Sequence, residues 1–106
     1  MTLNEADFRT LLDTTHNIVI AFFGANWCGP CKVFSLVFEK VSARYGETSG
    51  VTMVKLDVDE CTQLCDDLNV SLVPTVILFK DSQVAARQNG GFPNEKGLEQ
   101  FIVTFK

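Results

Sequence analysis

The chain has 106 residues, 46% of them hydrophobic and nine of them Phe, which is enough for one packed core without a disulfide framework. A formal charge of −4 argues against nucleic acid or an anionic membrane as the main partner. The first residues, Met1-Thr2-Leu3-Asn4-Glu5-Ala6-Asp7, lack the marks of a secretory signal or transit peptide, and no apolar run is long enough to cross a bilayer. With four cysteines, the expected location is cytoplasmic, where thiols stay reduced.

In chain order, Asn4 caps a first helix with Phe8, Leu11 and Leu12 on its inner face. Ile18 to Phe23 is apolar on both faces, as expected of a central parallel strand. A long helix follows from about Cys28 to Tyr45, ended by Gly46. Val51 to Val58 is a second strand. Asp59 opens a short helix with the inner stripe Cys61, Leu64, Cys65 and Leu68. Thr75 to Phe79 is a third strand, Lys80-Asp81-Ser82 a turn, and Gln83 to Gln88 a fourth strand. Asn94 caps a last helix carrying Leu98, Phe101, Ile102 and Phe105 at helical spacing. Strands alternating with helices, followed by a hairpin and a helix, predict a single α/β domain over residues 1–106 with a mixed sheet.

The most informative segment is Trp27-Cys28-Gly29-Pro30-Cys31-Lys32. A C-x-x-C pair holds a metal or trades electrons, and its surroundings favour electrons. It lies where the apolar strand feeds the long helix, whose positions Val33, Phe34, Val37, Phe38 and Val41 share a face. Cys28 therefore falls at the helix N-terminus, where free N–H groups and the positive end of the dipole favour a thiolate. Gly29 admits close approach of another backbone. Pro30 presets φ and donates no N–H.

These six residues match the signature of the thioredoxin family, and the resemblance extends through almost the whole chain. It implies a thioredoxin fold, with a central mixed sheet of four or five strands flanked by four helices. The N-terminal edge strand usual in the family is short or absent here, with only Met1 to Leu3 left to supply it. Its loss exposes the edge of Val51 to Val58, so an edge-strand dimer is a possible variation on an expected monomer. The implied function is a thiol–disulfide oxidoreductase that reduces protein disulfides, with Cys28 as nucleophile and Cys31 as the more buried resolving thiol. The resemblance further implies no bound cofactor, a reversible Cys28–Cys31 disulfide, and electrons from NADPH through a thioredoxin reductase-like flavoenzyme. Trp27, Gly29, Pro30, Val73, Pro74 and Gly90 correspond to the client-binding surface, with Pro74 expected to be cis and the Val73 backbone to pair with an extended client. Asp59 is the expected structural partner of the Trp27 indole N–H.

Three positions depart from the family pattern. Phe22 occupies the site of a buried aspartate, six residues before Cys28, that is thought to relay a proton for the second cysteine. Lys55, at the position of that aspartate's usual partner, is then expected to lack a counter-charge and either to lose its proton or to snorkel to water. Water or Lys55 would handle the proton, and restoring the carboxylate by Phe22→Asp is expected to speed resolution. Leu36 replaces a kink-producing proline, and Ser82 a turn glycine.

Cys61 and Cys65 share a stripe with Leu64 and Leu68, so they read as small buried hydrophobes rather than half of a four-thiolate zinc site or a regulatory pair. His16 reads as a surface loop residue, and Asp57-Val58-Asp59-Glu60 as a solvated strand end and helix cap rather than a cation site. The rival function is a thioredoxin-fold module that docks a partner without redox turnover. Retention of both motif cysteines favours the enzyme.

Overall fold

A computed structural model describes residues 1–46 and 48–106. In chain order the elements are α1 (Glu5–Thr14), β1 (Ile18–Gly24), α2 (Gly29–Ser42), β2 (Val51–Asp57), α3 (Thr62–Leu68), β3 (Thr75–Lys80), β4 (Gln83–Asn89) and α4 (Glu95–Phe105), with one 3₁₀ turn, Val58–Glu60, between β2 and α3. Two helix starts carry the caps expected of them: the Asn4 side chain accepts from the Asp7 N–H and Asn94 from the Gly97 N–H.

The sheet order is β2-β1-β3-β4. β1 runs parallel to β2 and antiparallel to β3, and β4 is antiparallel to β3. Alternate residues of β1 serve opposite layers. Ile18, Ile20 and Phe22 pack with Phe34, Phe38 and Val41 of α2 and with Leu98 and Ile102 of α4. Val19, Ala21 and Phe23 pack with Phe8 of α1 and with Leu64 and Cys65 of α3. All seven β1 residues are buried, as a strand covered on both faces requires.

β1, β3 and β4 each run one residue past the sequence expectation, and three other boundaries differ from it. α2 stops at Ser42 rather than Tyr45, because the next residues turn away to reach α4. Arg44 and Tyr45 donate backbone bonds three residues back, while the Arg44 side chain pairs with Glu95 and Glu99 and the Tyr45 hydroxyl bonds Glu99. β2 ends at Asp57 and α3 starts at Thr62, three residues after Asp59. The Asp57 carboxylate accepts the Asp59 N–H and closes a 3₁₀ turn instead, and Cys61 at φ −131°, ψ 44° separates that turn from α3.

Ahead of α1 the chain pairs with the β2 edge at one point. Thr2 bridges Lys55 in parallel, with the Leu3 N–H donating to the Lys55 carbonyl and the Lys55 N–H to the Met1 carbonyl. The middle of the β2 edge is thus covered. In the β3–β4 hairpin, Asp81 and Ser82 both take positive φ, 53° and 66°, the two-residue turn that matches strand twist. Ser82 adopts the left-handed region without being glycine, and its hydroxyl donates to the Leu12 carbonyl.

Candidate active site

β1 ends at Gly24, and the chain turns through Ala25 to Trp27 before α2 begins. Cys28 is the N-cap of α2, and its Sγ accepts the Cys31 N–H at 3.1 Å. Pro30, in the first turn, has no N–H for the helix to leave unpaired. Cys28 and Cys31 are bonded to each other, with Cα atoms 5.3 Å apart. The expected difference in burial between them is marginal, since Cys28 is 5% exposed and Cys31 4%. Position separates them instead. The Cys28 sulfur sits outside the first turn and receives a backbone donor, the arrangement that stabilises negative charge.

Trp27 is 69% exposed, and its Nε1–H donates to Asp59 Oδ2 at 2.9 Å, the partner expected from sequence. Trp27 and Val73 line a hollow of about 400 Å³ with Val58, Val70, Ser71 and Leu72. The Val73–Pro74 peptide is cis. The segment around it is tied at both ends: Thr75 Oγ1 donates to the Leu72 carbonyl at 2.7 Å, and the Gly90 N–H donates to the Pro74 carbonyl at 2.7 Å. Gly90 and Gly91 have φ of 93° and 70°. A Cβ on Gly91 would lie 3.2 Å from both Phe34 and Pro74, whereas one on Gly29 would meet nothing within 4 Å, leaving the backbone between the cysteines open.

Lys55 is where the expectation needs correction. It neither lacks a counter-charge nor reaches for water alone. Its Nζ donates to Ser35 Oγ and to Glu39 Oε1, both at 2.6 Å, with the lysine side chain 21% exposed. Hydrogen bonding and charge from Lys55 hold the Glu39 carboxyl below the usual glutamate range. Neither partner was found from sequence. The available signal was their spacing, four and eight residues after Cys31 on one helix.

Cys61 and Cys65 are buried free thiols in the layer opposite the Cys28–Cys31 pair, which separates the two pairs by the thickness of the sheet. Burial raises both, with help from nearby acidic groups, Cys65 to about 11. They are packing thiols, protonated at neutral pH. Among the described residues no cluster of three or more His, Cys, Asp and Glu has the placement to hold a metal. His16 is exposed.

The sequence model of the thioredoxin family matches residues 1–104. The chain belongs to the thioredoxin family. It is 36% identical over 93 residues to a thioredoxin of Mycoplasmoides gallisepticum, covering 88% of this chain and 89% of the relative, and 38% identical over 100 residues to a thioredoxin of Coprinus comatus, covering 94% and 92%. Its fold is similar to the crystal structure of Schistosoma mansoni thioredoxin, with a TM-score of 0.88 at 30% identity over 100% of this chain and 94% of that one. Family membership and a cysteine pair at bonding distance at a helix N-terminus make the protein a thiol–disulfide oxidoreductase of the protein-disulfide reductase class. Among the described residues no helix is long and apolar enough to cross a membrane.

Proposed function

We propose that the protein is a cytoplasmic electron carrier for redox homeostasis, a monomer that takes electrons from NADPH through a thioredoxin reductase-like flavoenzyme and passes them to disulfides of client proteins. The observation that carries the reading is the Cys28 sulfur at the N-cap of α2, accepting the Cys31 N–H and bonded to Cys31. The pairing of Met1 and Leu3 with Lys55 covers the middle of the β2 edge and supports the monomer.

In the reduced state the Cys28 thiolate attacks a client disulfide, forming a mixed disulfide and releasing one client thiolate. Cys31 loses its proton and attacks the Cys28 sulfur. The Cys28–Cys31 bond forms, the bond to the client breaks, and the second client sulfur leaves with the electron pair. Trp27, Gly29, Pro30, Val73, Pro74 and Gly90 provide the client surface, Asp59 holds the Trp27 ring in place, and an extended client strand pairs with the Val73 backbone. Lys55 assists the proton transfer at Cys31.

The test is NADPH-driven reduction of a protein disulfide by the wild type and Cys28→Ser in the presence of a flavoenzyme reductase. Loss of turnover to the uncatalysed rate in Cys28→Ser is expected. Equal turnover in both proteins contradicts the reading and favours a docking module without redox turnover.

A further inference from the structure

Phe22 and Lys55 are register partners on adjacent parallel strands, so a carboxylate at position 22 would lie beside the lysine. The phenylalanine ring instead turns into the layer beneath α2, with centroids 4.9 Å from Phe34 and 5.3 Å from Phe38. β1 therefore offers Lys55 no counter-ion, and α2 supplies one. Cys31, Ser35 and Glu39 succeed one another at i, i+4 and i+8 and form one stripe of that helix. Ser35 and Glu39 bind the Lys55 ammonium, and Cys31 stands at the head of the same stripe.

An open cavity of about 410 Å³ joins three of these groups, with Glu39 outside it. Cys31, Ser35 and Lys55 all line it, together with Phe22, Gly24, Lys32 and Asp57. It is large enough for several waters and carries polar side chains to hold them. A side chain at position 24 would crowd it, since a Cβ there lies 3.0 Å from the Phe22 ring and 3.6 Å from Cys31 Cβ. The ionisable groups facing Cys31 and Lys55 are Lys32 and Glu39 from α2, Asp57 from β2 and, acting on Glu39, the amino group of Met1. β1 presents only Phe22 and Gly24.

We propose that Ser35 and Glu39 are positioning residues that hold the Lys55 ammonium across this cavity, where its charge readies the Cys31 thiol for the resolving step in place of the missing carboxylate. The inference rests on the dithiol mechanism above. An ammonium donating to a carboxylate and a hydroxyl is no base, but it stabilises a neighbouring thiolate. The Cys31 S–H proton passes to water in the cavity. The Cys31 sulfur then bonds to the Cys28 sulfur as the Cys28–client bond breaks, and the departing client thiolate takes a proton from solvent.

One experiment separates the two steps. Fully reduced protein is mixed in a stopped-flow instrument with one equivalent of the chromogenic disulfide dithiobis(nitrobenzoate) across a range of pH. The first phase, attack by Cys28, releases one coloured thiolate; the second, attack by Cys31, releases the other. Lys55→Met is expected to slow the second phase about 10-fold at neutral pH and to raise its midpoint by about one pH unit, with the first phase unchanged. Ser35→Ala and Glu39→Ala are expected to slow it about 3-fold. Glu39→Gln, which keeps an acceptor for Nζ, and Lys55→Arg, which keeps the charge, are expected to stay within about twofold of wild type. An unmoved midpoint in Lys55→Met overturns the proposal. So does a lowered midpoint in Glu39→Ala, the result of merely removing a negative charge. Should Lys55→Met fail to fold, the exposed Glu39 position decides. Absence of a first phase in the wild type contradicts the dithiol mechanism itself.

Discussion

Phe22 can stand where the family usually places a carboxylate because Phe34 and Phe38 give its ring a packed site, 4% exposed. Phe22→Asp returns a carboxylate to the side of Lys55 and removes the ring from the cluster. It is expected to speed the resolving step while lowering stability by about 3–5 kcal/mol, the usual cost of deleting a buried aromatic. Rate and urea midpoint measured on the same folded sample check this, and a folded variant with an unchanged rate contradicts it. At this scale the sequence is legible wherever the signal is local. The N-cap position of Cys28 and the Trp27–Asp59 contact follow from the residue pattern and the family resemblance. The Ser35–Lys55–Glu39 contact does not, because it depends on how far α2 slides along β2, which core packing sets.

Element types follow from periodicity, and element ends follow from tertiary partners. β1 reads as central because its apolar run is unbroken, and α4 because four apolar residues recur at helical spacing. α2 ends three residues early because Arg44 and Tyr45 are drawn to Glu95 and Glu99, some fifty residues on, beyond any local rule. β4 reads as a strand from sequence, but one of its jobs does not. Arg87 Nη1 and Nη2 donate to the carbonyls of Leu68 and Asn69, each at 2.6 Å, closing the C-terminus of α3. That end leads into the Val70–Val73 wall of the hollow beside Trp27. Arg87→Ala leaves both carbonyls to solvent and is expected to cost about 0.5–1.5 kcal/mol in urea unfolding, with weaker binding of a client and an unaltered Cys28 attack on a small disulfide. Full stability in the variant contradicts the clamp.

For the molecule as a whole, the sheet separates two populations of thiol. Cys28 and Cys31 lie in one layer at the start of α2; Cys61 and Cys65 lie in the other, with burial holding both protonated. The fold class, the mixed sheet and the vestigial first strand were legible because each rests on patterning along the chain together with the family resemblance. The cavity beside Cys31 was not, since it is a space between elements rather than a property of any one. What the whole arrangement asserts is that Cys28 attacks and Cys31 resolves. The direct measurement replaces the resolving thiol by Cys31→Ser, exposes the reduced protein to a disulfide-bonded client, and maps the covalent adduct by mass spectrometry. The adduct is expected at Cys28 in near-stoichiometric yield, with none in Cys28→Ser. An adduct at Cys61 or Cys65, or equal trapping in both variants, contradicts the account.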